Sequence, residues 1–165
     1  MVVASPAYKR FASGILSVWT EELHDPDFWD QLRDSRSEDA EDFTILYFSK
    51  QNFSAQDIRR KMAMECPGAQ YAACSTAGEI TPAGVAEGLL LAVVLPASQF
   101  TVHPVQIPEI KSSEFEKIVA HVSEAKREFL KAVEDEDHSN CFALCLIDGM
   151  SSAEEADSCI SLGAG

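Results

Sequence analysis

The chain has 165 residues, the size of one ordinary domain, and its 46% hydrophobic and 24% charged residues match a soluble globular protein, not a disordered one. Lys and Arg number 13 against 27 Asp and Glu, a net charge of −14 at pH 7. A surface this acidic repels phosphate backbones and anionic lipid, which excludes nucleic acid and membrane surfaces as expected partners.

Residues 11–18 mix small and β-branched side chains and predict a first strand. Asp25-Pro26 predicts a helix start, Asp as N-cap and Pro at the first helical position, with Phe28, Trp29 and Leu32 at helical spacing behind it. Residues 35–42 are polar and mostly acidic and read as a solvated loop. Phe43-Thr44-Ile45-Leu46-Tyr47-Phe48 is apolar on both faces, the pattern of a central strand in a covered sheet.

Ser54 is a good N-cap for a helix with Ala55, Ile58 and Met62 as its buried stripe and Arg59-Arg60-Lys61 on its outer face. Pro67-Gly68 ends it. Residues 70–74 predict a short strand, followed directly by Ser75-Thr76-Ala77-Gly78-Glu79-Ile80 and a turn at Thr81-Pro82-Ala83-Gly84. Residues 89–95 predict a second buried strand, and residues 100–107 a strand pairing back on it after the Pro96 turn.

Ser113 and Glu116 form a capping box for a long helix, whose face is traced by Phe115, Ile118, Val119, Val122, Phe129 and Leu130. The acidic run 134–137 lies badly at a helix C-terminus and is expected beyond it. Residues 141–147 predict another buried strand, stopping at Asp148-Gly149, and Ser152 with Glu155 announces one more helix. The predicted order is β-α-β-α-β-β-β-α-β-α with the last helix incomplete: an α/β fold, a mixed and mostly buried sheet covered by helices, with crossovers favouring parallel pairing and one antiparallel pair. Residues 1–165 are expected to form a single domain that is incomplete at its C-terminus.

The five cysteines, Cys66, Cys74, Cys141, Cys145 and Cys159, are odd in number and irregular in spacing, so a zinc ribbon is not indicated. Most are expected to be small buried residues in a reducing compartment. No signal peptide is visible, and the longest apolar run, residues 89–97, is far short of the ~20 residues a membrane helix needs. A cytoplasmic location is expected.

Chemistry is most concentrated at Cys74-Ser75-Thr76-Ala77-Gly78-Glu79-Ile80, where a buried strand ends. Ligands of open α/β sheets bind outside the carboxyl ends of strands. Backbone N–H groups with the Ser75 and Thr76 hydroxyls suit a carboxylate or another small polar ligand, and Glu79 suits an amine. The competing structural reading has Ser75 and Thr76 capping a turn and Gly78 supplying a positive φ. Cys74 as a nucleophile needs a base, and no histidine lies near it in sequence. Asp148 either binds a ligand amine or caps the helix near Ser152. His103 and His121 are the candidates for a haem axial ligand, although exposed histidines without a ligand explain them too. P-loop, Gly-x-Gly-x-x-Gly, Gly-x-Ser-x-Gly, HExxH and CxxCH signatures are all absent.

The run from Cys74 to Ile80 closely resembles the hallmark of the N-terminal FIST sensory domain. Phe11-Ala12-Ser13 resembles that domain's opening strand, Tyr47-Phe48-Ser49 a strand end, and Glu87-Gly88 and Leu146-Ile147-Asp148-Gly149-Met150-Ser151 its later landmarks. The resemblance implies a signal-input domain and not an enzyme. It also implies a small-molecule ligand such as an amino acid, and a signalling partner such as a histidine kinase, a cyclic-di-GMP enzyme or a chemotaxis receptor. Some family members look like haem-based nitric oxide sensors, which makes haem a possible cofactor here. Ser75, Thr76, Gly78 and Glu79 carry over as motif matches, Asp148 more loosely, and no haem ligand carries over. In that family the strand at Asp148-Gly149 is followed by a full helix, a glycine-rich strand and a partner domain, which this chain does not reach. Three alternatives remain at this level: the haem sensor, an enzyme using Cys74, and an adaptor binding protein through acidic segments 38–42 and 134–137. The open edge left by a missing strand would favour association between copies.

Overall fold

Two short strands, β1 (Tyr8–Arg10) and β2 (Leu16–Thr20), open the fold as an antiparallel pair. The computed structural model describes residues 7–35, 42–107, 114–133 and 138–146. The strand expected over residues 11–18 is displaced toward β2. Phe11-Ala12-Ser13 is a turn instead of an opening strand, closed by Phe11 N–H to the Ile15 carbonyl (2.8 Å) and Gly14 N–H to the Phe11 carbonyl (2.9 Å).

Helix α1 (Pro26–Asp34) starts where Asp25-Pro26 predicts it, the Asp25 side chain accepting from the Asp27 and Phe28 N–H groups. It buries Phe28, Trp29 and Leu32. Strand β3 (Phe43–Ser49) leads to α2 (Ala55–Glu65), capped by Ser54 and buried through Ile58 and Met62. Arg59 and Arg60 lie exposed, whereas Lys61 bends over the Trp29 ring and pairs with Glu65, which also holds Arg33. Those cations hold Glu65 below the usual carboxylate range, the Lys61 hydrogen bond being the largest cause.

Strands β4 (Gln70–Thr76), β5 (Glu79–Thr81), β6 (Gly84–Ala86) and β7 (Leu90–Leu95) follow. The main sheet has the order β1-β2-β7-β3-β4, and β5 and β6 form a separate two-stranded hairpin across the predicted 81–84 turn. Among the described strands only β3 and β4, joined through the α2 crossover, are parallel; β7 runs antiparallel to both of its neighbours, β2 and β3. The mixed α/β sheet with helices is as expected, but its antiparallel content is larger. No strand forms over residues 101–107. Both hydrogen-bonding sides of β7 are already filled, and Pro104 lacks the donor a ladder needs.

Register explains the core. Leu16 and Val18 of β2, Leu90, Ala92 and Val94 of β7, and Leu46 and Phe48 of β3 share one face and pack with Phe28, Trp29, Leu32, Ile58 and Met62 of the helices. Thr44 stands on that face with its hydroxyl buried and without a hydrogen-bond partner among the described residues. Phe43, Ile45 and Leu91 are buried on the opposite face, so β3 is apolar on both sides, as its sequence predicts. Asp42, expected in a solvated loop, is buried, and its carboxylate accepts the Ala97 N–H at 2.7 Å. Among the described cysteines only Cys66 is buried; Cys74 and Cys141 are half-buried and Cys145 is exposed, which corrects the expectation of a mostly buried set.

By its internal packing the chain divides into two units, Met1–Val102 and His103–Gly165. The second contains α3 (Phe115–Ala132), with Ile118 buried and Val119, Val122, Phe129 and Leu130 half-buried, and a 3-10 turn at His138–Asn140. Glu114 takes the N-cap position of α3; Ser113 lies outside the described residues. Residues 141–146 form no strand, and Phe142, Leu144 and Leu146 are exposed. Apolar composition creates a preference for burial but does not supply a neighbour, and none pairs with this segment among the described residues. Asp148, Cys159 and the helix expected after Ser152 lie outside the described residues. Among the described helices none is long and apolar enough to cross a membrane.

Candidate functional site

Because β3 and β4 are parallel, their carboxyl ends at Ser49 and Thr76 reach the same rim of the sheet. β2 is antiparallel to β7, and β7 to β3, so β2 also ends on this rim, at Thr20. The fold therefore gathers three strand ends where an α/β sheet usually binds its ligand.

Cys74, Ser75 and Thr76 are the last three residues of β4, opposite Tyr47, Phe48 and Ser49 of β3. Strand alternation divides them. Ser75 shares the helix-packed face with Phe48, while Cys74 and Thr76 share the other face with Tyr47 and Ser49. The Cys74 thiol donates to the Ser75 carbonyl (3.5 Å), a bond a thiolate cannot make. Burial, and secondarily the nearby Cys74, push the Tyr47 phenol above its ordinary pKa.

Glu79, the first residue of β5, is 2% exposed. One carboxylate oxygen accepts from the Thr76 hydroxyl and the other accepts the Leu89 N–H at 3.1 Å. The Leu89 carbonyl in turn accepts the Ser49 N–H at 3.1 Å. One carboxylate thus links the end of β4, the hairpin and the residue before β7. The structure brings Thr76 and Glu79 together and leaves Ser75 on the other face.

The glycines differ in what they do. Gly78 does not have a positive φ, contrary to the structural reading of the motif. A Cβ there would lie 3.4 Å from the Ala86 carbonyl oxygen, so the residue lets the chain pass close to β6. Gly88 has φ +83°, and a Cβ would lie 2.6 Å from the Asn52 side-chain nitrogen, which donates to the Gly88 carbonyl.

A cleft of about 450 Å³ opens on the same rim, between the end of β2 and the β5–β6 hairpin. Trp19, Thr20, Glu21, Glu22 and Asp25 line one side, and Thr81, Ala83, Gly84, Val85, Ala86 and Leu89 the other. Its ionisable lining is wholly acidic. Asp25 is engaged in capping α1 and accepting from the Thr20 hydroxyl (2.8 Å), while Glu21 and Glu22 are exposed. Sequence reasoning missed these residues; the available signal was their position just past a strand end, obscured because the predicted strand ends two residues early. Among the described residues no group of three or more His, Cys, Asp or Glu is arranged to hold a metal ion.

In the second unit, His103 is exposed, off any strand, with its Nε2 3.9 Å from a Glu128 carboxylate oxygen and its ring 6.4 Å from that of Phe129. His121 is exposed on α3. An axial haem ligand works from within an apolar slot that buries the porphyrin. Two exposed imidazoles, one facing a carboxylate, do not fit that role.

The family model of the FIST N domain matches residues 42–156, more than two thirds of the chain. The match takes in β3, the Cys74–Ile80 motif, the hairpin and β7. No curated protein and no solved structure matches the chain.

Proposed function

The chain belongs to the FIST N domain family, a family of sensory domains in signalling proteins, and we propose that it senses a small amine-bearing metabolite, such as an amino acid, in the cleft at the carboxyl rim of its sheet. The observation that carries this reading is the cleft itself: it opens at the strand ends and the motif's own hairpin forms one wall. In the proposal Glu21 and Glu22 hold the ammonium group, and Trp19, Thr81, Val85 and Leu89 surround the rest. Thr76, Gly78 and Glu79 support the hairpin wall from behind, and Cys74 and Ser75 belong to the end of β4 that carries it. Residues 1–165 act as one input domain in the cytoplasm. Binding favours one arrangement of the hairpin over another, and a signalling partner such as a histidine kinase or a cyclic-di-GMP enzyme reads the difference.

The test is thermal unfolding of the chain with each L-amino acid and with simple primary amines in turn. Ligand at a hundredfold excess over its Kd adds about 2.7 kcal/mol, a rise of several degrees in Tm. Glu21→Gln/Glu22→Gln is expected to keep the ligand-free Tm and lose the shift. No shift with any amine, or an equal shift in the double variant, overturns the reading.

A further inference from the structure

We infer that Glu79 is a positioning residue: its carboxylate latches the β5–β6 hairpin to the main sheet and thereby sets the width of the cleft, without touching the ligand. The inference deepens the cleft reading above and rests on it for its functional meaning. Its physical basis is separate.

The hairpin is a weakly anchored element. Its strands have three residues each and lie in a sheet of their own. A two-stranded hairpin of this length is not stable alone in water. Its apolar cross-strand pair, Ile80 and Val85, faces solvent at 79% and 81% exposure and contributes almost no burial. The inward face carries Glu79 and Thr81, both polar. Thr81 spends its hydroxyl inside the hairpin, accepting from the Ala83 N–H and donating to the Gly84 carbonyl. Glu79 reaches out, to Thr76 at the end of β4 and to Leu89 ahead of β7.

A carboxylate buried this fully must have both oxygens satisfied, and hydrogen bonds to a charged acceptor are stronger than neutral ones. Both oxygens are engaged inward, so little is left to meet an amine in the cleft. Leu89, Thr81 and Val85 all line that cleft. Releasing the Leu89 N–H and the Thr76 hydroxyl frees that wall to move.

Two substitutions separate a latch from a charged ligand contact. In Glu79→Gln the amide oxygen accepts the Leu89 N–H, and the amide N–H donates to the Thr76 hydroxyl oxygen, so both bonds survive while the charge is lost. Glu79→Ala loses both. Hydrogen exchange of the full chain, read by mass spectrometry without ligand, is the measurement. For Glu79→Ala, exchange over residues 79–89 is expected to rise about tenfold or more, while β3 and the centre of β7 keep their protection. Glu79→Gln should stay near wild type. Thr76→Val, which removes one donor and keeps the shape, should fall between.

Unchanged exchange in Glu79→Ala overturns the latch, as does equal acceleration in the Gln and Ala variants. Acceleration spread evenly through β3 and β7 does so too, because it makes Glu79 a general support. If Glu79→Ala fails to fold, Thr76→Val decides: faster exchange confined to residues 79–89 upholds the latch and unchanged exchange overturns it. An amine that stabilises the wild type should bind Glu79→Gln normally and Glu79→Ala more weakly. If no amine binds, the cleft reading fails while the exchange result stands on its own.

Discussion

Leu90, at the start of β7, is completely buried, whereas Ile80 and Val85, a few residues earlier on the hairpin, are about four-fifths exposed. β7 has a hydrogen-bonded strand on each side and apolar contacts on both faces. The hairpin has one partnered edge per strand and a polar inner face. Burial of apolar area is non-directional and sums over many contacts, so it fixes β7 against any single small change. Directional bonds through one carboxylate fix the hairpin, and such an attachment is made or broken as a unit. The motif straddles the boundary, with Cys74 to Thr76 in the sheet and Glu79 to Thr81 in the hairpin.

The largest expected effect probes the sheet side. Leu46→Ala empties a fully buried site between helices and sheet and should cost about 2 to 5 kcal/mol. Val85→Ala should cost less than about 0.5 kcal/mol. Urea unfolding with an unchanged m value measures both, and a Val85→Ala loss comparable to that of Leu46→Ala would break the comparison.

Gly88→Ala tests the seam between the two regions. The positive φ should account for most of a cost of about 1 to 3 kcal/mol, with a smaller part from pushing aside the end of the Asn52 side chain. Adding Asn52→Ala removes the clashing nitrogen but not the backbone strain, so the double variant should be more stable than the sum of the singles. Strict additivity would show that the close approach carries no strain.

The smallest effect lies on β3, opposite Cys74. Folding favours the neutral Tyr47 phenol, since its pKa is raised above 10.0 in the folded chain. Its contribution to stability is therefore complete below the unfolded pKa and is lost as pH rises through the raised value. The difference in phenolate absorbance between wild type and Tyr47→Phe should titrate late. Cys74→Ser should bring it down only slightly, because burial is the larger cause. A drop to the ordinary value would instead make the thiolate charge the main cause of the shift.

Much of the first unit was legible in the sequence because its signals are local. Asp25-Pro26 and Ser54 are helix starts whose capping bonds form within three residues. The unbroken apolar run of β3 and the Thr81–Gly84 turn likewise carry their own instructions. Strand order was not legible, because β7 is paired with β2 and β3 by contacts across more than 40 residues of sequence. Residues 101–107 have a strand's pattern but no place in the sheet. The motif itself was readable as a strand end, yet the inward turn of Glu79 was not, since its partner Leu89 looks in sequence like an ordinary core residue. Glu21 and Glu22 acquire meaning only once the hairpin stands opposite them.

The central position of β7 also matters during synthesis. It is the last strand of the first unit to leave the ribosome, yet β2 and β3 meet only through it. Until residue 95 has emerged, any pairing of β1 with β2 or of β3 with β4 leaves open the edge that β7 will later fill. A nascent chain is thus expected to stay sensitive to protease until β7 is out and to become resistant abruptly afterwards. In that interval chaperones, or an identical chain on the neighbouring ribosome, compete for the same open edges.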